Sequence, residues 1–280
     1  MLLISVFAGL IGSLVGIGGG ILIVPILTLV FGVPLEYAIG ASIVSVIATS
    51  SGAASAYVKD KITNLRVGMF LEVATSTGAV VGAVVTIFLI KSSLSWIVYI
   101  VFGSVLILSS YDLYSKSRRE RKLSKVDVNV TPNRIADRLS LKGSYHDAVL
   151  GENINYEATR VPWGLSIMFF AGLISGLLGI GSGALKVLGM DTMMKLPFKV
   201  STTTSDFMIG VTAAASTGIF YIGGFVNPII ALPVAIGVVL GSFVGTKVLV
   251  RSKPSSIRLV FIIVLVALGV EMLQRGVALL

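Results

Sequence analysis

The 280-residue sequence contains no cysteine and a single histidine, His146. Disulfides, thiolate metal sites and cysteine nucleophiles are thereby excluded. Histidine metal centres and Ser–His pairs have almost nothing to be built from, and neither a metal nor a cofactor is expected. Charge is scarce too. Only 12% of residues are charged against 55% hydrophobic, where a soluble domain carries roughly a quarter charged. Acids are the scarcer sign, 13 against 22 bases, giving a net charge of +9. That balance raises nucleic acid as a partner, but the cations sit in short loops between apolar stretches, where membrane topology accounts for them. Nucleic acid is set aside on that ground. Met1–Phe7 has no basic lead-in and no small-residue cleavage site follows, so it does not read as a signal peptide.

What is abundant is long apolar sequence, at a mean hydropathy of +0.98. Four runs, residues 2–31, 37–58, 67–90 and 94–114, precede a polar stretch of about 115–160. Four more follow at 162–190, 200–222, 228–250 and 255–279. Each is near or above the length of about 20 residues that crosses a bilayer as helix. The expected fold is an all-α integral membrane protein, multi-pass in the cell (inner or plasma) membrane. Its parts are a transmembrane unit of 1–114, a basic cytoplasmic appendage of 115–160 and a second transmembrane unit of 161–280.

The two transmembrane units match at one constant shift of 163 positions. Phe7-Ala8-Gly9-Leu10-Ile11 recurs as Phe170-Ala171-Gly172-Leu173-Ile174, and Gly16-Ile17-Gly18 as Gly179-Ile180-Gly181. Pro34 maps to Pro197, Ser42 to Ser205, Thr49 to Thr212, Asn64 to Asn227, Gly78 to Gly241 and Gly82 to Gly245. This pattern implies a duplication.

The first run of each unit is long enough to span, yet each is interrupted by glycine: Gly16-Ile17-Gly18-Gly19-Gly20 and Gly179-Ile180-Gly181-Ser182-Gly183. If each crosses, the units lie parallel; if each turns back, they are inverted. With 115–160 inside, the parallel arrangement leaves Lys91, Lys195, Lys199, Arg251, Lys253 and Arg258 outside. The inverted arrangement places 18 cations inside and leaves only Lys91 and Arg275 outside, with Lys186 and Lys247 set aside as intramembrane. The positive-inside tendency therefore favours inversion. In the appendage, ten Lys/Arg face six acids. Asp127-Val128-Asn129-Val130 and a Gly151-Glu152-Asn153 turn suggest short strands, and Arg134–Leu141 a short helix.

Some glycines are explained by packing: Gly12/Gly16/Gly20, Gly78/Gly82 and Gly241/Gly245 have small-xxx-small spacing. The clusters at 16–20 and 179–183 are denser than packing requires. Each glycine costs a helix about 1 kcal/mol relative to alanine, so a break is expected at both. Within lipid such a break must line protein or a wet cavity, and a half-helix starting near Gly20 or Gly183 would aim free N–H groups into it. That is an anion site of the kind built by discontinuous transporter helices. A nucleotide site is not expected, because Ile21 and Ala184 stand where the last glycine of G-x-G-x-x-G belongs.

The second unit carries Lys186 and Asp206 where the first has Ile23 and Ile43. Ionisable groups in hydrocarbon pair with each other or line a wet cavity. The two are therefore expected either to pair structurally or to attract and orient an anion. Glu72, opposite Ala235 in the second unit, is either a snorkelling residue near Arg66 or a gating or proton-coupling group. Hydroxyls follow each of the paired prolines, and Ser42/Ser205 and Thr49/Thr212 occur in both units. They offer donors for a dehydrated oxyanion, although back-bonding to the i−4 carbonyl is the ordinary use of such residues.

The doubled Gly-x-Gly-Gly-Gly pattern, with Pro25 and Pro34 downstream, resembles the sulfite exporter TauE/SafE family over about 1–115 and 160–280. The second copy departs from it at Ser182, at Leu188 in place of a proline, and at Lys186. The resemblance implies secondary transport of sulfur-containing anions such as sulfite or sulfonates. Together these readings give a non-enzymatic transporter of a small anion, a sulfur oxyanion or organosulfonate, working by alternating access. Its expected substrate-binding residues are Gly18, Gly19, Gly20, Ser42, Thr49, Gly181, Ser182, Gly183, Lys186, Ser205, Asp206 and Thr212, with Glu72 or Asp206 for coupling or gating. The expected partners are the small anionic substrate, the lipid bilayer and a coupling proton or cation, with homo-oligomerisation left open. The alternatives are an anion channel and an intramembrane enzyme, for which Ser182 with Lys186 is the one available nucleophile–base pair.

Overall fold

The computed structural model describes residues 1–15, 19–59, 63–119, 134–147, 152–249 and 254–280. The first apolar run is two pieces: α1 (Leu2–Val15), then α2 (Gly20–Pro25) continuing into a π-turn over Ile26–Val30. Three long helices follow, α3 (Leu35–Lys59), α4 (Leu65–Lys91) and α5 (Ser95–Arg119). The appendage holds α6 (Arg134–Leu139) and an antiparallel hairpin of β1 (Lys142–Asp147) and β2 (Glu152–Glu157). The second half repeats the order: α7 (Val161–Leu178), α8 (Gly183–Leu188) with a π-turn over Gly189–Met193, then α9 (Phe198–Ile222), α10 (Pro228–Leu249) and α11 (Pro254–Ala278). The runs 2–31 and 162–190 are therefore not single helices. Pro25 precedes the first π-turn but Leu188 precedes the second, so a proline's missing donor does not account for both.

The element ends have local causes. Asn64 caps α4 by accepting from the Val67 N–H at 3.0 Å, and Asn227 accepts from Ile229 N–H at 3.0 Å just ahead of α10, as N-cap asparagines do. Gly179 ends α7 in the left-handed region at φ 66°, and Gly181 and Ser182 keep positive φ before α8 begins. A chain of ordinary residues avoids three such positions in four, so the glycines write the break into the sequence.

After that break the chain doubles back. The Ser182 hydroxyl donates to Ala171 O at 2.6 Å, Gly189 sits against Ile167 and Met168, and Gly164 against Met194. The segment after the break thus runs antiparallel to α7, and Thr159 N–H bonds Met194 O at 3.0 Å where it returns to the start of α7. In the first half, Gly19 likewise lies beside Ala8 and Gly9.

Helices of the two halves interlock. α4 packs on α7 and α1 on α10, with backbones close enough that a Cβ on Gly172 would strike Thr75 O, on Gly9 Val238 O, on Gly78 Phe169 O and on Gly241 Val6 O. These small-residue contacts are what lets helices approach closely in lipid. Partner positions rise together along both members of each pair, so α4 and α7 run parallel, as do α1 and α10. By contrast α5 meets α11 antiparallel, Gly103 against Gly269 and Ile100 against Gly276. α3 and α9 also run antiparallel, with Ser50 against Gly210 and Gly40 against Phe225 just beyond the end of α9.

Four described helical stretches, Leu65–Lys91, Val161–Leu178, Lys199–Ile222 and Phe261–Ala278, are long and apolar enough to cross a membrane. Large apolar side chains cover the outside, among them Met69, Val73, Phe88, Phe170, Ile222 and Phe243. A surface of this kind suits contact with lipid rather than water.

In the appendage, Glu152 and Asn153 do not turn but open β2, paired with Asp147 and His146; β1 was not anticipated. The strand expected at Asp127–Val130, and Gly151, lie outside the described residues. The hairpin docks on the transmembrane body. Asn64 Nδ2 donates to the Tyr156 hydroxyl at 3.0 Å, and Ala136, Leu141, Tyr145 and Tyr156 share a core with Val67, Leu71, Met190 and Val200. Burial raises the Tyr156 phenol above its ordinary value of 10.0.

One substitution at two glycines tests the packing. Gly176→Ala would drive a methyl into Ala79 O, whereas Gly218→Ala meets nothing within 4 Å. The first is expected to destabilise by about 1–3 kcal/mol, and the second to be neutral or to stabilise by up to about 1 kcal/mol. Melting temperatures of the purified variants read both.

Candidate functional site

The two breaks meet in the interior. Gly20 and Gly179 are close enough that a Cβ on Gly20 would lie 3.5 Å from Gly179 O. The Ser42 hydroxyl on α3 faces both, 3.0 Å from Gly20 O and 2.8 Å from Gly179 O. Its counterpart Ser205 on α9 donates to Gly183 O at 3.1 Å. Gly179 O, at the end of α7, is a carbonyl that the break frees and lipid cannot satisfy, and Ser42 supplies a donor to it. In this structure both serine hydroxyls donate to the protein backbone. Thr49 back-bonds to Ser45 O and Val46 O at 3.0 and 3.1 Å, the ordinary use of a membrane-helix threonine. Gly181 and Gly183 lie against Ile209, and Gly181 also against Val46; Gly19 and Gly20 are buried at the start of α2. Gly18 lies outside the described residues.

Charge enters once. Lys186, in the first turn of α8, has no exposed surface. Its Nζ donates to Thr212 Oγ1 at 2.6 Å, and the Thr212 hydroxyl in turn donates to Glu72 Oε1 at 2.7 Å. Ser76, one turn along α4, donates to the same Oε1 at 2.6 Å. Glu72 Oε2 is buried without a hydrogen-bond partner. The lysine thus reaches a carboxylate through a threonine, and that carboxylate is Glu72 of the first half. The expected Lys186–Asp206 pairing is corrected, because the Lys186 hydrogen bond goes to Thr212. Asp206 is buried on α9, six residues before Thr212, or about a third of a turn around the helix and about 9 Å along it. Glu72 is equally buried, so it does not snorkel beside Arg66. The Ser182 hydroxyl is held by Ala171 O and Lys186 by Thr212, so the conceivable nucleophile–base pair is not formed.

The cluster joins α4, α8 and α9, and so both halves. The positions 163 residues away are Ile23, Thr49 and Ala235, which cannot reproduce it. Sequence reasoning found Lys186, Thr212 and Glu72 separately but missed Ser76. Its i+4 spacing from Glu72 was the available signal, since such residues share a helix face.

Helices interrupted inside a bilayer-spanning body, with a lysine and a glutamate shut within it, are the architecture of membrane transporters that bind solute at discontinuous helices. The chain belongs to the sulfite exporter TauE/SafE family, whose family model matches residues 1–272. Among curated proteins it is similar to "Probable membrane transporter protein YunE" of Bacillus subtilis (strain 168), at 29% identity over 285 residues, covering 99% of this chain and 97% of that one. It is also similar to "Probable membrane transporter protein MJ0441" of Methanocaldococcus jannaschii, 26% identical over 98% of this chain and 94% of that one. "Probable membrane transporter protein YdhB" of Bacillus subtilis is 25% identical over 88% of each. No solved structure matches the chain.

Removing one partner of a buried ion pair leaves the other uncompensated, at about 3–5 kcal/mol. Lys186→Met and Glu72→Gln are each expected to lower stability on that scale. The double substitution should recover most of the loss, with a coupling energy above about 2 kcal/mol in a double-mutant cycle. Additive losses would mean that the two charges do not communicate.

Proposed function

We propose that this transporter carries a small anion, a sulfur oxyanion or organosulfonate, held at the meeting point of the two breaks beside Lys186. The observation that carries the reading is a lysine with no exposed surface that is held by a threonine hydroxyl. Its ammonium can exchange that hydroxyl for a substrate anion without leaving the interior. α8 is only six residues long, so Lys186, not the helix dipole, supplies the attraction. The backbone amides at the starts of α2 and α8 offer further donors to the anion. The family and its sulfite-exporter description support the sulfur-anion class.

Alternating access follows from two inverted copies of one ancestral unit. Equivalent helices α5 and α11 run antiparallel, as do α3 and α9. A two-fold axis lying in the membrane plane relates antiparallel equivalents, whereas an axis along the membrane normal relates parallel ones. The contacts Gly9–Val238 and Gly78–Phe169 recur 163 positions away as Gly172–Thr75 and Gly241–Val6, which supports the duplication. In this arrangement residues 115–160 face the cytoplasm of a cell membrane, and opening requires one interlocked pair, α4–α7 or α1–α10, to tilt against the centre.

Two measurements test this. Purified parent protein should melt several degrees higher with saturating sulfite or methanesulfonate, a stabilisation of about 2.7 kcal/mol at one hundred times Kd. The folded Lys186→Met/Glu72→Gln variant should not respond, and an equal response would remove Lys186 from the site. In the naturally cysteine-free chain, Leu280→Cys should label from the outside of intact cells. Labelling only after permeabilisation would overturn the inverted arrangement.

A further inference from the structure

We propose that Glu72 carries a proton in a one-to-one, electroneutral symport with a monovalent anion, the anion displacing Glu72 as the counter-charge of Lys186. The inference rests on the transport reading above and goes on to assign the coupling ion and the charge class of the substrate.

The first observation is the geometry of Thr212. Its single hydroxyl proton has two acceptors, Glu72 Oε1 at 2.7 Å and Met208 O at 2.7 Å. It can release Glu72 and still be satisfied by its own helix. The second is Glu72 Oε2, buried and unpartnered while Oε1 takes both hydroxyl donors. A free carboxylate oxygen at this depth is where a proton can add without breaking any existing bond.

The charges around Glu72 are few. α8 contributes Lys186. α9 contributes Thr212, with Asp206 a third of a turn away and Lys199 near its exposed start. α7 has no titratable side chain between Val161 and Leu178. α5 carries Tyr99, buried beside Arg275 and Glu36, and the exposed Tyr111 and Tyr114, and α4 itself carries the exposed Arg66. Lys186 is therefore the one cation facing Glu72 among the described side chains.

Charge conservation in a buried site then fixes the cycle. Empty, the cluster holds Lys186 as ammonium and Glu72 as carboxylate, with no net charge. When an anion takes the ammonium, Glu72 loses its counter-ion in a low-dielectric interior, where an isolated carboxylate is neutralised instead of remaining charged. A proton from solvent forms an O–H bond at Oε2, Thr212 turns to Met208 O, and the loaded cluster is again neutral. A dianion would leave one uncompensated charge in the loaded state, so the site selects monoanions. Releasing substrate without the proton would leave Lys186 facing a neutral acid, which binds the two cargoes to one another.

The test is uptake into proteoliposomes of the full chain. The probes are methanesulfonate, a monoanion at every working pH, sulfite, and the dianion sulfate, under an imposed pH gradient or an imposed potential. An acidic exterior should drive methanesulfonate accumulation at least ten-fold, with no response to potential and no accumulation of sulfate. Glu72→Gln fixes the protonated state. It should bind methanesulfonate more tightly and independently of pH, but lose pH-driven accumulation. Glu72→Asp, which still titrates, should keep part of it. Uptake that follows potential and ignores pH, or full accumulation by Glu72→Gln, would overturn the assignment of the proton. Failure of the parent to move any of the three anions under either gradient would instead remove the transport reading itself, and this inference with it.

Discussion

A helix that stops inside a bilayer leaves backbone groups that neither lipid nor water can satisfy, and the architecture follows from how this chain meets that requirement. The carbonyl of Gly179, where α7 stops, accepts from Ser42 on α3, and the same serine and Ser205 on α9 also hold Gly20 O and Gly183 O at the starts of α2 and α8. Ser42 has one proton and two acceptors in different halves, so it ties the breaks to each other as well as to α3. The glycines permit the left-handed backbone, the serines terminate its hydrogen bonds, and the interlocked α4–α7 and α1–α10 pairs hold the surrounding walls. A larger residue at the close-contact glycines would push those walls apart and unseat the serines.

Against this near-symmetric frame the charged cluster is placed once. Ile23 and Ala235 stand where Lys186 and Glu72 would recur, so one side of the centre is apolar and the other carries a lysine, a glutamate and two hydroxyls. The two halves are thus alike in their helices and unlike in their buried charge. The appendage adds a further difference: its hairpin rests on the Asn64 end of α4 and on the returning segment after α8, tying the inter-half connection to the element that bears Lys186.

Much of the frame was legible because it depends on local composition. The four described stretches able to cross a membrane follow from hydropathy, and the second break from glycines that take positive φ. The turning back of the first segments was one of two readings, which loop charge favoured. What was not legible depended on tertiary register. Lys186 and Asp206 looked like natural partners because both replace isoleucine in one half. The actual partner comes from α4 of the other half through Thr212, and no spacing along the chain encodes that approach. The serines were recognised as paired but their acceptors were not, since a hydroxyl near a break serves an anion or a carbonyl equally well until the carbonyl's position is known. The π-turns and strand β1 carry no sequence signature of comparable strength.

The central claim is that the two breaks and Lys186 form one anion site in the interior. An experimental structure of the protein with bound methanesulfonate or sulfite tests it most directly. The account predicts an interrupted helix at residues 179–182, with the anion within hydrogen-bonding distance of Lys186 Nζ and Thr212 turned away from Glu72. A continuous helix through those residues, or an anion bound elsewhere with the Lys186–Thr212–Glu72 chain intact, would contradict it.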